Sequence, residues 1–139
     1  MRSRTRARQL ALQFLFQLEV QGDEAREMLD GWLAHELGGR PGGEEARAYA
    51  VRLVDGVRTH RDALDTRIRQ AARNWDLQRM AGVDRSALRI GCYELMHEPE
   101  VPMKVAINEA IELGKMFSTE SSGAFINGIL DRIRKDLGR

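Results

Sequence analysis

The residues best equipped for chemistry stand at the amino end. The stretch "RSRTRARQLALQFLFQ", residues 2 to 17, puts Arg2, Arg4, Arg6 and Arg8 into the first eight positions with no acid among them. Guanidinium groups, amides and an aromatic ring are the means by which proteins hold a single-stranded polyanion. Cations meet phosphates, amides read base edges, and a ring offers a stacking surface. At about 100° per residue, Arg2, Arg6, Gln9, Gln13 and Phe16 fall within roughly 80° of arc on a helix. The apolar stripe Ala7, Leu10, Ala11, Phe14 and Leu18 centres nearly opposite, and Arg4 and Arg8 add charge on a neighbouring face. Arginines at a helix N-terminus oppose the macrodipole, where acids would stabilise by about 0.3–1 kcal/mol each. Phe16 on a basic face also forgoes burial. A bound anionic strand accounts for both costs; a solvated basic tip with Phe16 covered by a neighbouring helix is the plainer alternative.

The other reactive side chains do not converge. His35, His60 and His97 lie on separate helical stretches without metal-ligand spacing. Cys92 is the only cysteine, so no internal disulfide forms, which suits a reducing, cytoplasmic compartment. It falls on a packed helical face, where it reads as a small hydrophobe rather than a nucleophile. "GGRPGG", residues 38 to 43, joins helix to helix and so reads as a flexible linker, not a phosphate loop. Asn108, Glu109 and Asn127 sit in helical text, where an amide can satisfy loop or helix-end backbone groups. No catalytic residue, cofactor or metal is expected.

The elements that position these residues are helices almost throughout. The chain has 139 residues, 42% of them hydrophobic and 31% charged, enough for one domain with a real core. Its net charge of +1 conceals an asymmetry: beyond the four amino-terminal arginines the remainder is net acidic, with 18 basic and 21 acidic side chains. No apolar run approaches the ~18 residues of a membrane span. Gln13, Gln17 and Glu19 interrupt any secretory h-region, and the first helix is needed for the core rather than for targeting.

Periodicity predicts about seven helices. The first runs from Thr5 to Val20. The second, capped by Asp23, buries Ala25, Met28, Leu29 and Trp32. The third buries Ala46, Tyr49, Ala50, Leu53, Val54 and Val57. The fourth, parted from it near Thr59 without a breaker, buries Leu64, Ile68, Ala71, Ala72 and Trp75. Asp84 caps the fifth, with Leu88, Gly91, Cys92, Leu95 and Met96 inward. Pro102 starts the sixth, which buries some of Val105, Ala106, Ile107, Ala110, Ile111 and Leu113. Ser118 or Ser121 caps the seventh, with Ile126, Ile129, Leu130, Ile133 and Leu137 inward. The class is all-α, one compact domain of residues 1–139.

"KVAINEAIELGKMF" (104–117), "SS" (121–122) and "FINGILDRI" (125–133), preceded by "ALQFLFQ" (11–17) and "LRIGCYEL" (88–95), resemble the bacterial transcription antitermination factor NusB family in order and spacing over nearly the whole chain. The resemblance implies two small perpendicular helical bundles, roughly 1–75 and 76–139, without enzymatic activity. It implies binding of boxA single-stranded RNA from rRNA leaders together with a small-subunit ribosomal protein acting as NusE, within an antitermination complex on RNA polymerase. The RNA surface it implies comprises Arg2, Arg4, Arg6, Arg8, Phe16, Phe117, Ser121 and Phe125. Gln13 joins them from the helical arc, and Lys115 supplies charge nearby. Asp84 and Arg85, expected to be exposed, would face the protein partner. Phe14 and Phe16 replace the tyrosines of some relatives and Ser121 an acid, so a phenolic hydrogen bond is lost and base preference can differ.

Two other readings remain open. One is a helical protein-interaction module without direct RNA binding. The other is a relative of the amino-terminal domain of RNA cytosine methyltransferases, which would need an α/β domain to hold the methyl donor. An exposed apolar seam would serve a homodimer or the ribosomal protein equally well, and periodicity does not separate them.

Overall fold

The structure, a computed structural model, describes residues 2–139. Among these residues seven α-helices form and no strand does, the all-α class that the periodicity implies. Two compact units divide the chain, one ending at Gly56 and the other running from Val57 to Arg139. The division falls inside α3 (Gly43–Thr59). As a result α4 (Arg61–Ala71), grouped by its sequence with the first 75 residues, packs on helices of the second unit.

In the first unit, α1 (Ser3–Gln21) buries the expected stripe of Ala7, Leu10, Ala11, Phe14 and Leu18. It also buries Arg8, Gln9, Leu12 and Leu15, so most of its circumference is enclosed. Gly22, at φ +97°, ends it in a conformation that favours glycine. The helix expected from Asp23 instead begins as a 3₁₀ turn, Asp23–Met28, followed by α2 (Leu29–Leu37). Its tighter winding shifts the inward face. Leu29, Leu33 and Leu37 form the core stripe, Ala25 and Trp32 are half-buried, and Met28 is 62% exposed. A forked ion pair from Arg26 to Asp55, at 2.7 and 2.9 Å, ties the 3₁₀ turn to α3.

The glycine-rich connection is folded into turns rather than left open. Arg40 N–H donates to the Leu37 carbonyl at 3.1 Å, and Gly43 N–H to that of Arg40 at 3.0 Å. The Ser3 hydroxyl donates to the Gly42 carbonyl at 3.3 Å, tying the start of α1 to this loop. The six core residues expected of α3 are all buried.

In the second unit α5 (Gly82–His97) is central: every residue from Ser86 to Leu95 is buried. It packs on α4, α6 (Met103–Phe117) and α7 (Ser122–Asp136). Close approach rests on small residues. A β-carbon at Gly91 would stand 2.6 Å from a Leu130 methyl, and one at Gly114 would overlap Ile126. The buried Arg89 guanidinium grips buried Asp65 through two hydrogen bonds, at 2.8 and 3.0 Å. Such a pair compensates charges that could not be buried singly. The Tyr93 hydroxyl likewise donates to the buried Glu98 carboxylate at 2.8 Å.

Several sequence expectations are corrected here. Trp75 lies beyond the end of α4 and is 58% exposed rather than buried. Met96 and Leu137 are half-buried. Ala81, not Asp84, occupies the N-cap of α5; Asp84 sits in the first turn, where its charge favours the dipole. Ser121 holds the N-cap position of α7 without a side-chain capping bond.

Candidate nucleic-acid interface

The amino end of α1 sorts its four arginines into distinct environments. Arg2 is exposed at the N-cap, and no acid lies in the first turn. Arg4, also exposed, places its guanidinium 4.3 Å from the centroid of the buried Tyr49 ring. Half-buried Arg6 reaches Gln9 at 3.4 Å and Glu36 at 3.6 Å. Arg8, expected to be an exposed charge, is 3% exposed and lies 5.6 Å from the Tyr49 ring centroid. Tyr49 thus takes two cations on its ring, an arrangement that offsets part of the cost of covering Arg8. Arg2, Arg4 and Arg6 remain within reach of a solution anion; Arg8 braces the helix.

The expected polar arc is interrupted in the same way. Gln9 is buried, whereas Gln13 and Gln17 are exposed. Phe16 stands 38% exposed, as its position opposite the core stripe predicts. Beside it on α1, Gln13, Phe14 and Gln17 line a shallow groove of about 360 Å³ with Met28 and Trp32. The Phe14 and Trp32 rings, both in its lining, lie 5.6 Å apart.

A second cluster lies where α6 turns into α7. Lys115 is exposed, 3.7 Å from Glu112, and its stem runs beside Gly123. Phe117, the last residue of α6, is half-buried. Exposed Ser121 shares a 2.9 Å hydrogen bond with Thr119, whose hydroxyl also lies 3.2 Å from Ser122. Phe125, half-buried in the second turn of α7, meets Trp75 edge to face, with ring centroids 5.1 Å apart. Sequence reasoning missed Trp75 by extending α4 through it. The signal was available in "NWD", residues 74 to 76, because Asn and Asp favour turns over helix interiors. The Asp76 carboxylate indeed accepts the Gln78 N–H at 2.9 Å.

Neither residue expected to face a protein partner is fully exposed. Arg85 donates from one nitrogen to the carbonyls of Leu77 at 3.1 Å and Met80 at 3.0 Å, so it secures the turn before α5. Asp84 is half-buried, with one carboxylate oxygen lacking a hydrogen-bond partner among the described residues.

The remaining reactive groups are embedded in packing. Burial pushes the Cys92 thiol up to about 12, outweighing the opposing pull of Arg67. His97 stacks on His60 at 4.0 Å; desolvation, then the neighbouring imidazole, lower its pKa from the ordinary 6.5, against a raising effect of Glu98. Among the described residues no three His, Cys, Asp or Glu side chains gather where they could hold a metal ion. No described helix is long and apolar enough to cross a membrane.

Comparison with known proteins bears on the whole chain. The transcription antitermination protein NusB of Sorangium cellulosum is 47% identical over 139 residues, which cover 100% of this chain and 96% of that protein. Among solved structures, T. maritima NusB matches with a TM-score of 0.84 and 37% identity, covering 96% of this chain and 91% of that one. A chain in the crystal structure of antitermination factors NusB and NusE in complex with dsRNA matches with a TM-score of 0.84 and 27% identity, covering 98% of each. The NusB family model spans residues 5–135, and with likeness of sequence and fold over almost the full length, the chain belongs to the NusB family.

Proposed function

We infer that this chain is a transcription antitermination factor. It binds boxA-type single-stranded RNA of rRNA leaders together with a small-subunit ribosomal protein acting as NusE. In the cytoplasm it works within an RNA polymerase complex that resists premature termination and aids rRNA maturation. The observation that carries this reading is the pairing of exposed or half-exposed aromatics with cations in stretches that bear the family resemblance. Phe16 accompanies Arg2, Arg4 and Arg6 in the first unit; Phe117 and Phe125 accompany Lys115 and Ser121 in the second. Cations would hold phosphates without regard to sequence, and rings would stack on unpaired bases. Gln13 and Ser121 supply the groups that can read base edges. Arg8 contributes by holding α1 and Tyr49 in place.

The solved assembly of NusB and NusE with dsRNA supports both an RNA and a protein partner for a chain of this fold. On the partner side, half-buried Asp84 carries an acid in the first turn of α5, and Arg85 maintains the turn beside it. No residue is assigned a catalytic role.

The test is add-back to a transcribing extract of the source bacterium depleted of this protein, on a template with a boxA-like leader upstream of a terminator. Restored read-through that vanishes when the leader is scrambled supports the function. Read-through unchanged by depletion and by add-back refutes it.

A further inference from the structure

We propose that Trp75 belongs to the RNA-binding surface, with Trp75 and Phe125 forming a paired aromatic platform on which an unpaired nucleobase stacks. The proposal rests on the RNA-binding reading above and extends it to a residue and a segment outside the family-resembling motifs. Trp75 is 58% exposed although buried neighbours flank it on both sides: Ala72 before it and Leu77 after it. The surrounding backbone is nonetheless tied down. Trp75 N–H donates to the Ala72 carbonyl at 2.9 Å, Asp76 caps the 3₁₀ turn Leu77–Arg79, and Arg85 holds two carbonyls of that stretch. An indole presented on a fixed turn loses little conformational freedom when a ligand covers it.

Two further observations identify the ligand as a nucleic acid strand. The rings of Trp75 and Phe125 meet at an interplanar angle of 76°, so the pair offers ring surface in two orientations. The segment "RQAARNWDLQR", residues 69 to 79, also carries exposed Arg69, Arg73 and Arg79 on either side of Trp75 in the chain. Its single acid, Asp76, is engaged with Gln78, and no described acidic side chain pairs with any of the three arginines. A hydrophobic protein partner would gain nothing from three unpaired guanidinium groups. A strand of phosphates with unstacked bases uses both features.

The experiment uses the full chain with its ribosomal partner and a boxA-like single-stranded RNA oligomer as the probe. Affinity is read by fluorescence anisotropy for wild type, Trp75→Ala, Trp75→Tyr and Phe16→Ala. In parallel, a Trp32→Phe variant leaves Trp75 as the sole tryptophan and reports its emission directly. The expected results are a roughly 5- to 150-fold loss for Trp75→Ala, recovery in Trp75→Tyr, and quenching of Trp75 emission with protection from acrylamide when RNA is added. That optical signal distinguishes a stacked indole from one that merely positions Phe125, and it holds even if Trp75→Ala folds poorly. Wild-type affinity in Trp75→Ala with unchanged Trp75 emission, while Phe16→Ala binds weakly, overturns the platform and leaves RNA binding intact. Absence of RNA binding by the wild-type pair overturns both.

Discussion

At the scale of single residues, the amino-terminal arginines divide into those that hold the fold and those that face solution. Arg8 is enclosed and shares Tyr49 with Arg4, whereas Arg2 projects from the N-cap. Arg8→Ala should therefore lower the Tm, because it empties a buried site. Arg2→Gln combined with Lys115→Gln should leave the Tm nearly unchanged, since the pair of Lys115 with Glu112 is exposed, an interaction of a kind that contributes little. That double variant should instead flatten the salt dependence of RNA binding, by about 0.7 in log–log slope for each phosphate no longer neutralised. Helical geometry in the sequence placed Phe16 outward correctly but put Arg8 there too. An arginine stem with an aromatic partner 41 positions away has no local signature. Cys92 makes a simpler case. With its thiol pushed up to about 12, it should resist thiol-specific reagents in native protein at neutral pH and react fully once urea unfolds the chain. Rapid native labelling would contradict the packing of α5.

At the scale of elements, the sequence was most legible where one face is buried and least where burial is all-round or none. The i, i+3, i+4 pattern of α3 translated directly into six buried residues. The same pattern blurred in α1, whose Leu12 and Leu15 are buried off the main stripe. It misled after Gly22, where a 3₁₀ turn displaced the face, and at Trp75, where a turn ended α4 early. The Arg89–Asp65 pair was invisible because nothing local announces a partner across two helices. It makes a strong prediction: Asp65→Ala should destabilise by about 3–5 kcal/mol in urea unfolding, since it strands a buried guanidinium. The double change Asp65→Leu with Arg89→Met should recover most of that stability; no recovery would show that the pair supplies more than charge compensation. His97, in the last turn of α5, gives a pH prediction. Its folded pKa lies below the 6.5 of an ordinary imidazole, so the unfolded chain binds more protons in that window. Its contribution to stability is therefore complete above about pH 6.5 and is lost as the pH falls toward the folded value. Tm against pH should show this decline, and His97→Asn should flatten it.

At the scale of the whole molecule, the near-neutral charge of +1 would by itself suggest no polyanionic partner. The cations matter by placement: Arg2, Arg4 and Arg6 at the start of α1, Lys115 in the last turn of α6, and Arg69, Arg73 and Arg79 in the segment that carries Trp75. Helical periodicity was enough for an all-α class, and the long block from Lys104 to Ile133 was enough for the family. What composition and pattern could not supply was which cations stay in solution, because that depends on Tyr49, Glu36 and other partners distant in sequence. The central claim, that exposed cations and aromatics of this chain bind boxA-type RNA with a ribosomal partner, is tested most directly by equilibrium binding across salt. The probe is a boxA-like single strand, with a scrambled strand and a duplex as controls, with and without the ribosomal protein. Selective binding is expected, tightened by the partner, with a log–log slope of about −2 to −3 from the cations of α1 and Lys115, and steeper if Arg69, Arg73 and Arg79 join them. Equal affinity for the scrambled strand, or no binding even with the partner present, would contradict it.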